Sequence, residues 1–228
     1  PHGNWFGLTV RARVFYASKS RIKTGEVTTY EDLAHPKMKG RVCTRSGKHV
    51  YNVSLLASIV VAKGAQAAAD WAEGLKANLA RKPQGNDRAQ VKAVFEGECD
   101  IAVGNTYYMG KMATNEKKPE QMAWAKSVKI IFPNQKGRGA HVNVSGAAVT
   151  QSAKNKANAI KLIEFLSNDS AQKIYAERNF EYPVKLGVAW HPLVASWGQF
   201  KADKAFLSNI ANQRMLASKL MDQVSFNN

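Results

Sequence analysis

Acidic residues are scarce in this chain. Seventeen Asp and Glu stand against thirty-three Lys and Arg in 228 residues, leaving a net charge of +16. Such a balance suits an acidic partner: a nucleic acid, an anionic surface or an anionic ligand. Yet the basic residues are scattered. The densest groups, KSRIK (19–23) and KMKGR (37–41), are short and interrupted. There is no arginine-rich tract, zinc-finger spacing or RNA-recognition signature. Nucleic-acid binding therefore has charge in its favour and no motif, and no nucleic-acid partner is expected.

Long hydrophobic runs are missing too. Nothing approaches the ~20 apolar residues that span a bilayer. The longest patch, Leu55 to Ala62, is broken by Ser58 and fits a buried helix. Cysteine is limited to Cys43 and Cys99, in no CxxC pattern, which argues against zinc and thioredoxin chemistry. Each adjoins a short strand-like stretch, GRVCTR and GECDIAV. Two readings stay open for them, a disulfide or two buried thiols. A disulfide would imply an oxidising compartment. The five histidines form no HExxH or HxH cluster. Of these, His49 lies two residues from Tyr51 and is the one placed to touch a ligand.

Catalytic signatures fare no better. GNTYYMGKM has five residues between its glycines, and Met112 stands where a phosphate loop needs Ser or Thr. VNVSGAAV lacks the first glycine of a nucleophile elbow. No acid–base pair or nucleophile constellation emerges, so the chain is not expected to be an enzyme.

What is present is an alternation of strands and helices. WFGLTVRARVFYAS sets Leu8, Val10, Ala12 and Val14 against Thr9, Arg11, Arg13 and Phe15, the period of two of a strand. The chain begins at Pro1, with neither initiator Met nor signal-peptide pattern, and enters this strand almost at once. It is expected to start inside a larger fold. Thr28 and Glu31 make a capping box for a short helix ending before Pro36. Helices are expected over 53–63, closed by Gly64, and over 65–80. Asp87 is expected to cap a third, with Val91, Val94 and Phe95 on one face. Strands are expected at 41–44, 100–103, 128–132 and 142–144. Helices follow at 155–167 and 169–178, the first with an apolar stripe of Ala159, Leu162, Ile163 and Leu166. The tail from 201 to 224 reads as helical throughout. The alternation predicts an α/β fold with a mostly parallel sheet.

Three tyrosines stand out against this frame. Tyr107 and Tyr108 fall where a strand ends and a helix begins, a place where open α/β sheets bind ligands. The helix start adds free N–H groups and a positive dipole end, both favourable to an ionised phenol. Phenols lose their proton near pH 10, but a hard trivalent cation favours anionic oxygen. Taken alone, such a pair reads first as one buried ring beside an exposed one. Tyr51, in GKHVYNVSLLAS, likewise precedes an apolar helix, and the three together form an oxygen-donor set. Arg11 and Arg13 share one face of the opening strand. In a cleft they would hold an anion or offset phenolate charge. Lys111, one turn beyond Tyr107, is a similar candidate.

The order of segments carries a resemblance. WFGLTVRARVFYAS, TTYEDLAHPKMKGRV, VYNVSLLAS, ARKPQGND, GECDIAVGNTYYMGKM and IIFPNQKGRGAHVNVSGAAV together resemble the ferric-iron-binding periplasmic proteins of ABC transporters, the cyanobacterial branch above all. The NTYY turn and the KPQGND loop are the most specific parts. The resemblance implies a two-lobed type II periplasmic binding protein fold, α/β in each lobe, with the N-terminal part of one lobe missing from this chain. Residues 1–13 would be a strand crossing from the incomplete lobe. Residues 14–140 would form the C-terminal lobe with Tyr51 and Tyr107/Tyr108. Residues 141–180 would return to the first lobe, and 181–228 would be mostly helical.

The resemblance also implies the site. Tyr51, Tyr107 and Tyr108 would hold Fe(III) as phenolates in the interlobe cleft, with a synergistic anion or water completing the shell. Arg11 matches a cleft arginine, and Lys111 and His49 would stand behind the ligands or beside an anion. Cys43 and Cys99 would form a disulfide, because the family is exported to the periplasm. The partner would be an inner-membrane ABC permease, and the receptor a monomer. Two alternatives remain at this point: a related receptor for a small oxyanion, gripped by Arg11, Arg13 and the PNQKGRG loop, and a basic nucleic-acid-binding protein.

Overall fold

A computed structural model describes residues 5–228. Residues 1–4 of the expected crossing segment lie outside the described residues. The architecture is built on one long strand, β1 (Phe6–Ser18). Its alternation works as a two-faced wedge. Phe15 and Ala17 point into one apolar cluster, with Tyr30, Leu55, Leu56 and Trp71. Ala12, Val14 and Tyr16 point into another, with Val91, Val94, Met109 and Met112. Both faces of its second half are therefore buried, as the strand period of two requires.

The remaining strands are β2 (Val42–Cys43), β3 (Ile101–Asn105), β4 (Val128–Ile131), β5 (Val142–Ala147) and β6 (Tyr182–Pro183). The sheet is not mostly parallel. β2 and β3 run parallel, while β1 is antiparallel to β3, β4, β5 and β6. One strand serves every neighbour, and it enters in the direction opposite to theirs. The first half of β1, Phe6 to Ala12, pairs with β5, and Thr9 and Val10 pair with β6. From Arg13 onward it pairs with β3 and β4.

Helix α1 (Val50–Lys63) is buried from Asn52 to Val60, so packing overrides the modest helix propensity of its valines and isoleucine. It ends at Gly64, whose φ of 88° suits glycine. In α2 (Ala65–Ala77) the buried residues are Ala68, Trp71, Ala72 and Leu75, one helical stripe. Helix α3 (Asp87–Glu96) is capped by Asn86, not Asp87: the Asn86 side chain accepts the N–H groups of Arg88 and Ala89. Asp87 is the first helical residue and turns inward instead. Phe95 is exposed, leaving Val91 and Val94 as the buried pair. The turn before Pro36 is a 3-10 helix, Glu31–Ala34. Its reciprocal cap is Thr29 with Asp32, one residue along from the expected pair. Glu31 is drawn away to Asn134 and Lys63.

Next come α4 (Thr106–Ala113) and α5 (Pro119–Ser127), then α6 (Lys156–Leu166) and α7 (Asp169–Asn179). The α6 stripe is not a core face. Ile163 is buried, but Leu162 is 56% exposed, and Ile160 and Ile163 line an open cavity of about 980 Å³. The tail is helical only from Leu207. After α8 (Pro192–Ala195), residues 201–206 are non-helical, because Lys201 and Asp203 hydrogen-bond the backbone of Ala140. Then α9 (Leu207–Asn212) and α10 (Arg214–Gln223) follow. Ala217, Leu220 and Met221 of α10 join the cluster that holds α1. Cys43 and Cys99 are joined by a disulfide, with Cα atoms 5.9 Å apart, tying β2 to the approach of β3. Among the described residues, no helix is long and apolar enough to cross a membrane.

Candidate metal site

Two helix starts bring the three tyrosines together. Tyr107 and Tyr108 occupy the first turn of α4, directly after β3. That junction is pinned from both sides: Thr106 Oγ1 accepts the Ala12 N–H at 3.2 Å, and the Asn105 N–H reaches Asp87 at 2.8 Å. Gly110 of α4 lets Phe180 lie against the helix, since a Cβ there would stand 2.3 Å from that ring. Tyr51 sits in the first turn of α1. His49 caps this helix, its Nδ1 accepting the Tyr51 N–H at 3.2 Å, and its ring meets the Tyr51 ring edge-on at 4.5 Å.

The result is a cluster of half-buried phenols. The Tyr51 and Tyr107 oxygens are 3.2 Å apart. The rings of Tyr107 and Tyr108 stack with centroids 4.3 Å apart. Cations surround them. The guanidiniums of Arg11, Arg13 and Arg45 lie 5.9, 5.7 and 5.1 Å from the Tyr51 ring. Arg88 lies 5.0 Å from the Tyr108 ring and the Lys111 ammonium 5.4 Å from that of Tyr107. Positive charge against a ring face is favourable, and it is more so once the phenol is ionised.

Without metal Tyr107 is held in its protonated form. Burial, followed by the adjoining phenols of Tyr108 and Tyr51, pushes Tyr107 well above the ordinary phenol range. Burial holds Lys111 below the usual ammonium range, and burial followed by the Arg45 charge lowers His49. Among the described residues, no group of three or more His, Cys, Asp or Glu is placed to hold a metal ion. Phenol oxygen is the donor that the cluster offers, and it suits a hard, highly charged ion.

Arg11 and Arg13 do share the Tyr51 side, but they differ in freedom. Arg11 donates to Ser145 Oγ. Arg13 is 2% exposed, and both of its terminal nitrogens are engaged, to Asp87 at 2.9 Å, Asn52 at 2.8 Å and Asn105 at 3.2 Å. In the PNQKGRG loop, Arg138 pairs with Asp203 at 2.9 Å, and Asn134 bonds Tyr30 and Glu31. Arg13 and Arg138 are thus each paired with a carboxylate, which argues against an oxyanion grip made of Arg11, Arg13 and this loop. Arg45, Asp87 and Arg88 were missed from sequence. Asp87 closes the ARKPQGND segment and Arg88 follows it, the one signal that pointed near them; Arg45 had none.

Comparison with known proteins follows the same line. The family described as bacterial extracellular solute-binding protein matches residues 1–207. Iron uptake protein A1 of Synechocystis sp. is 48% identical over 226 residues, which cover 99% of this chain and 62% of that protein. The apo ferric ion-binding protein A of Pasteurella haemolytica superposes with a TM-score of 0.94 at 51% identity, covering 99% of this chain and 70% of that one. A Trichodesmium protein (IdiA, FutA), solved in complex with iron and citrate ligands, gives 0.95 at 44% identity, covering 99% and 71%. The chain thus spans about three fifths of the length of its Synechocystis relative. These neighbours give the chain a periplasmic binding-protein fold of the α/β, type II kind.

Proposed function

The chain belongs to the bacterial extracellular solute-binding protein family, and from that premise we propose that it captures Fe(III) through the phenolates of Tyr51, Tyr107 and Tyr108. The observation that carries this reading is the convergence of the three phenols from two helix starts, with the Tyr51 and Tyr107 oxygens 3.2 Å apart and a cation beside each ring. Relatives named for iron uptake and ferric iron binding support it.

Three phenolates balance the charge of a trivalent ion, so any further anion overshoots. Arg11 and Lys111 stand where they would offset it, and a citrate, such as the Trichodesmium protein holds, or a water would complete the shell. The lobe formed by residues 14–140 carries all three tyrosines. The handover of β1 from β5 and β6 to β3 and β4 at Ala12 and Arg13 supports a lobe boundary there. In this reading the protein is a periplasmic receptor, not an enzyme, and passes its ion to an ABC permease. Reduction would loosen the ion, since Fe(II) is softer and less charged.

A visible absorption titration with ferric citrate tests the reading. A broad phenolate-to-iron band that saturates near one equivalent and weakens in Tyr107→Phe is expected. A wild-type chain that develops no band overturns it.

A further inference from the structure

Beneath Tyr51 lies a buried charge cluster centred on Asp87. Asp87 is fully buried. One carboxylate oxygen accepts Arg13 at 2.9 Å and the Asn105 N–H at 2.8 Å; the other accepts Arg45 at 3.0 Å. Helix α3 does not need this side chain, because Asn86 already caps it.

We infer that Asp87 is a positioning residue for the phenol cluster: it holds the Arg13 and Arg45 guanidiniums against Tyr51 and ties the two ligand-bearing segments to each other. The inference rests on the iron reading above. Its geometry is a set of cross-ties. Arg13 joins Asp87 to Asn52, the neighbour of Tyr51, and to Asn105, two residues before Tyr107. Asn52 in turn donates to Thr44 Oγ1 and to the carbonyl of Arg45. Four separate stretches of chain thus meet at one carboxylate.

The energetics explain why such a group earns a role beyond stability. Burying charge is costly, and apolar side chains of similar volume often stabilise a core as well or better. Two guanidiniums beside one ring would repel each other, and the less buried Arg45 would swing out. One carboxylate between Arg13 and Arg45 offsets that repulsion and, with Arg11 counted, leaves a net charge of +2 around Tyr51 (three guanidiniums less one carboxylate). The charge is in place before the ion arrives, so no reorganisation is needed when the phenolate forms.

The test is a double-mutant cycle in Fe(III) affinity, measured by competition with a ferric chelator on Asp87→Asn, Tyr51→Phe and the double variant. If Asp87 acts through Tyr51, Asp87→Asn lowers affinity tenfold or more when Tyr51 is present and less than twofold when it is Phe. Equal losses in both backgrounds would mean a merely structural role and overturn the inference. Should Asp87→Asn fail to fold, the same cycle with Arg45→Gln decides by the same two outcomes. A wild-type chain that takes up no iron sinks the parent reading instead, and that result needs no variant to be seen.

Discussion

Removing one phenol from the cluster should change how many protons the chain gives up to iron. In the free protein Tyr107 is held neutral, because burial and two adjoining phenols oppose its ionisation. Metal takes phenolate, so each phenol that binds at neutral pH releases a proton. Three phenols therefore release three protons per ion, and log affinity rises by about 3 per pH unit below the phenol range near pH ~10. Tyr107→Phe should release two, with a slope of about 2. The fold should tolerate the change. The lost Tyr51–Tyr107 hydrogen bond, 3.2 Å and half-buried, contributes on the order of 1 kcal/mol, a shift of roughly 2–4 °C in Tm for a chain this long. The assay is proton release in a pH-stat on adding ferric nitrilotriacetate, with the chelator's own protons subtracted from a blank. Equal proton release by wild type and variant, or an affinity independent of pH, would refute the reasoning.

Other predictions follow from single contacts. His141 is fully buried, and burial with the charges of Arg138, Arg13 and Arg11 holds it down to about 3. A depressed histidine stabilises above its unfolded value of about 6.5 and loses that contribution as pH falls towards 3. The Tm of the wild type should therefore drop more steeply than that of His141→Gln between pH 7 and 4, and parallel curves would count against this. The Cys43–Cys99 disulfide closes 56 residues, worth roughly 4 kcal/mol by the chain-entropy argument. Reduction should lower Tm by roughly 8–16 °C, and an unchanged scan would deny the bond a stabilising role. Gly110→Ala would push a methyl to within 2.3 Å of Phe180. A loss of about 1–3 kcal/mol is expected, read by urea unfolding. Iron affinity should fall with it, since α4 carries Tyr107 and Tyr108.

Where local rules apply, the chain could be read directly. The alternation of β1 and the glycine stop of α1 are short-range patterns, and each is in place. Near misses came where two residues compete for one job. Asn86 and Asp87 are both good caps, and the pull of Arg13 and Arg45 takes Asp87 inward. Thr29 and Asp32 displace Thr28 and Glu31 because Lys63 and Asn134 claim the glutamate. The α6 stripe has core periodicity yet stays largely exposed, since periodicity says which face is apolar and not what covers it.

By itself, the sequence determined the placement of tyrosines at two helix starts, the long opening strand and the segment order that marks the family. The strand and each helix start are written in a few neighbouring residues, and the segment order is read directly along the chain. Tertiary structure alone decided the direction of the strands beside β1, the approach of Tyr51 to Tyr107 and the guanidiniums of Arg45 and Arg88 that face Tyr51 and Tyr108. Tyr51 and Tyr107 are 56 residues apart, and Arg13 and Asp87 are 74 apart. No local spacing encodes such pairs. They arise because β1 threads both apolar clusters and carries Arg13 past the end of β3, where Asp87 and Asn52 are already waiting.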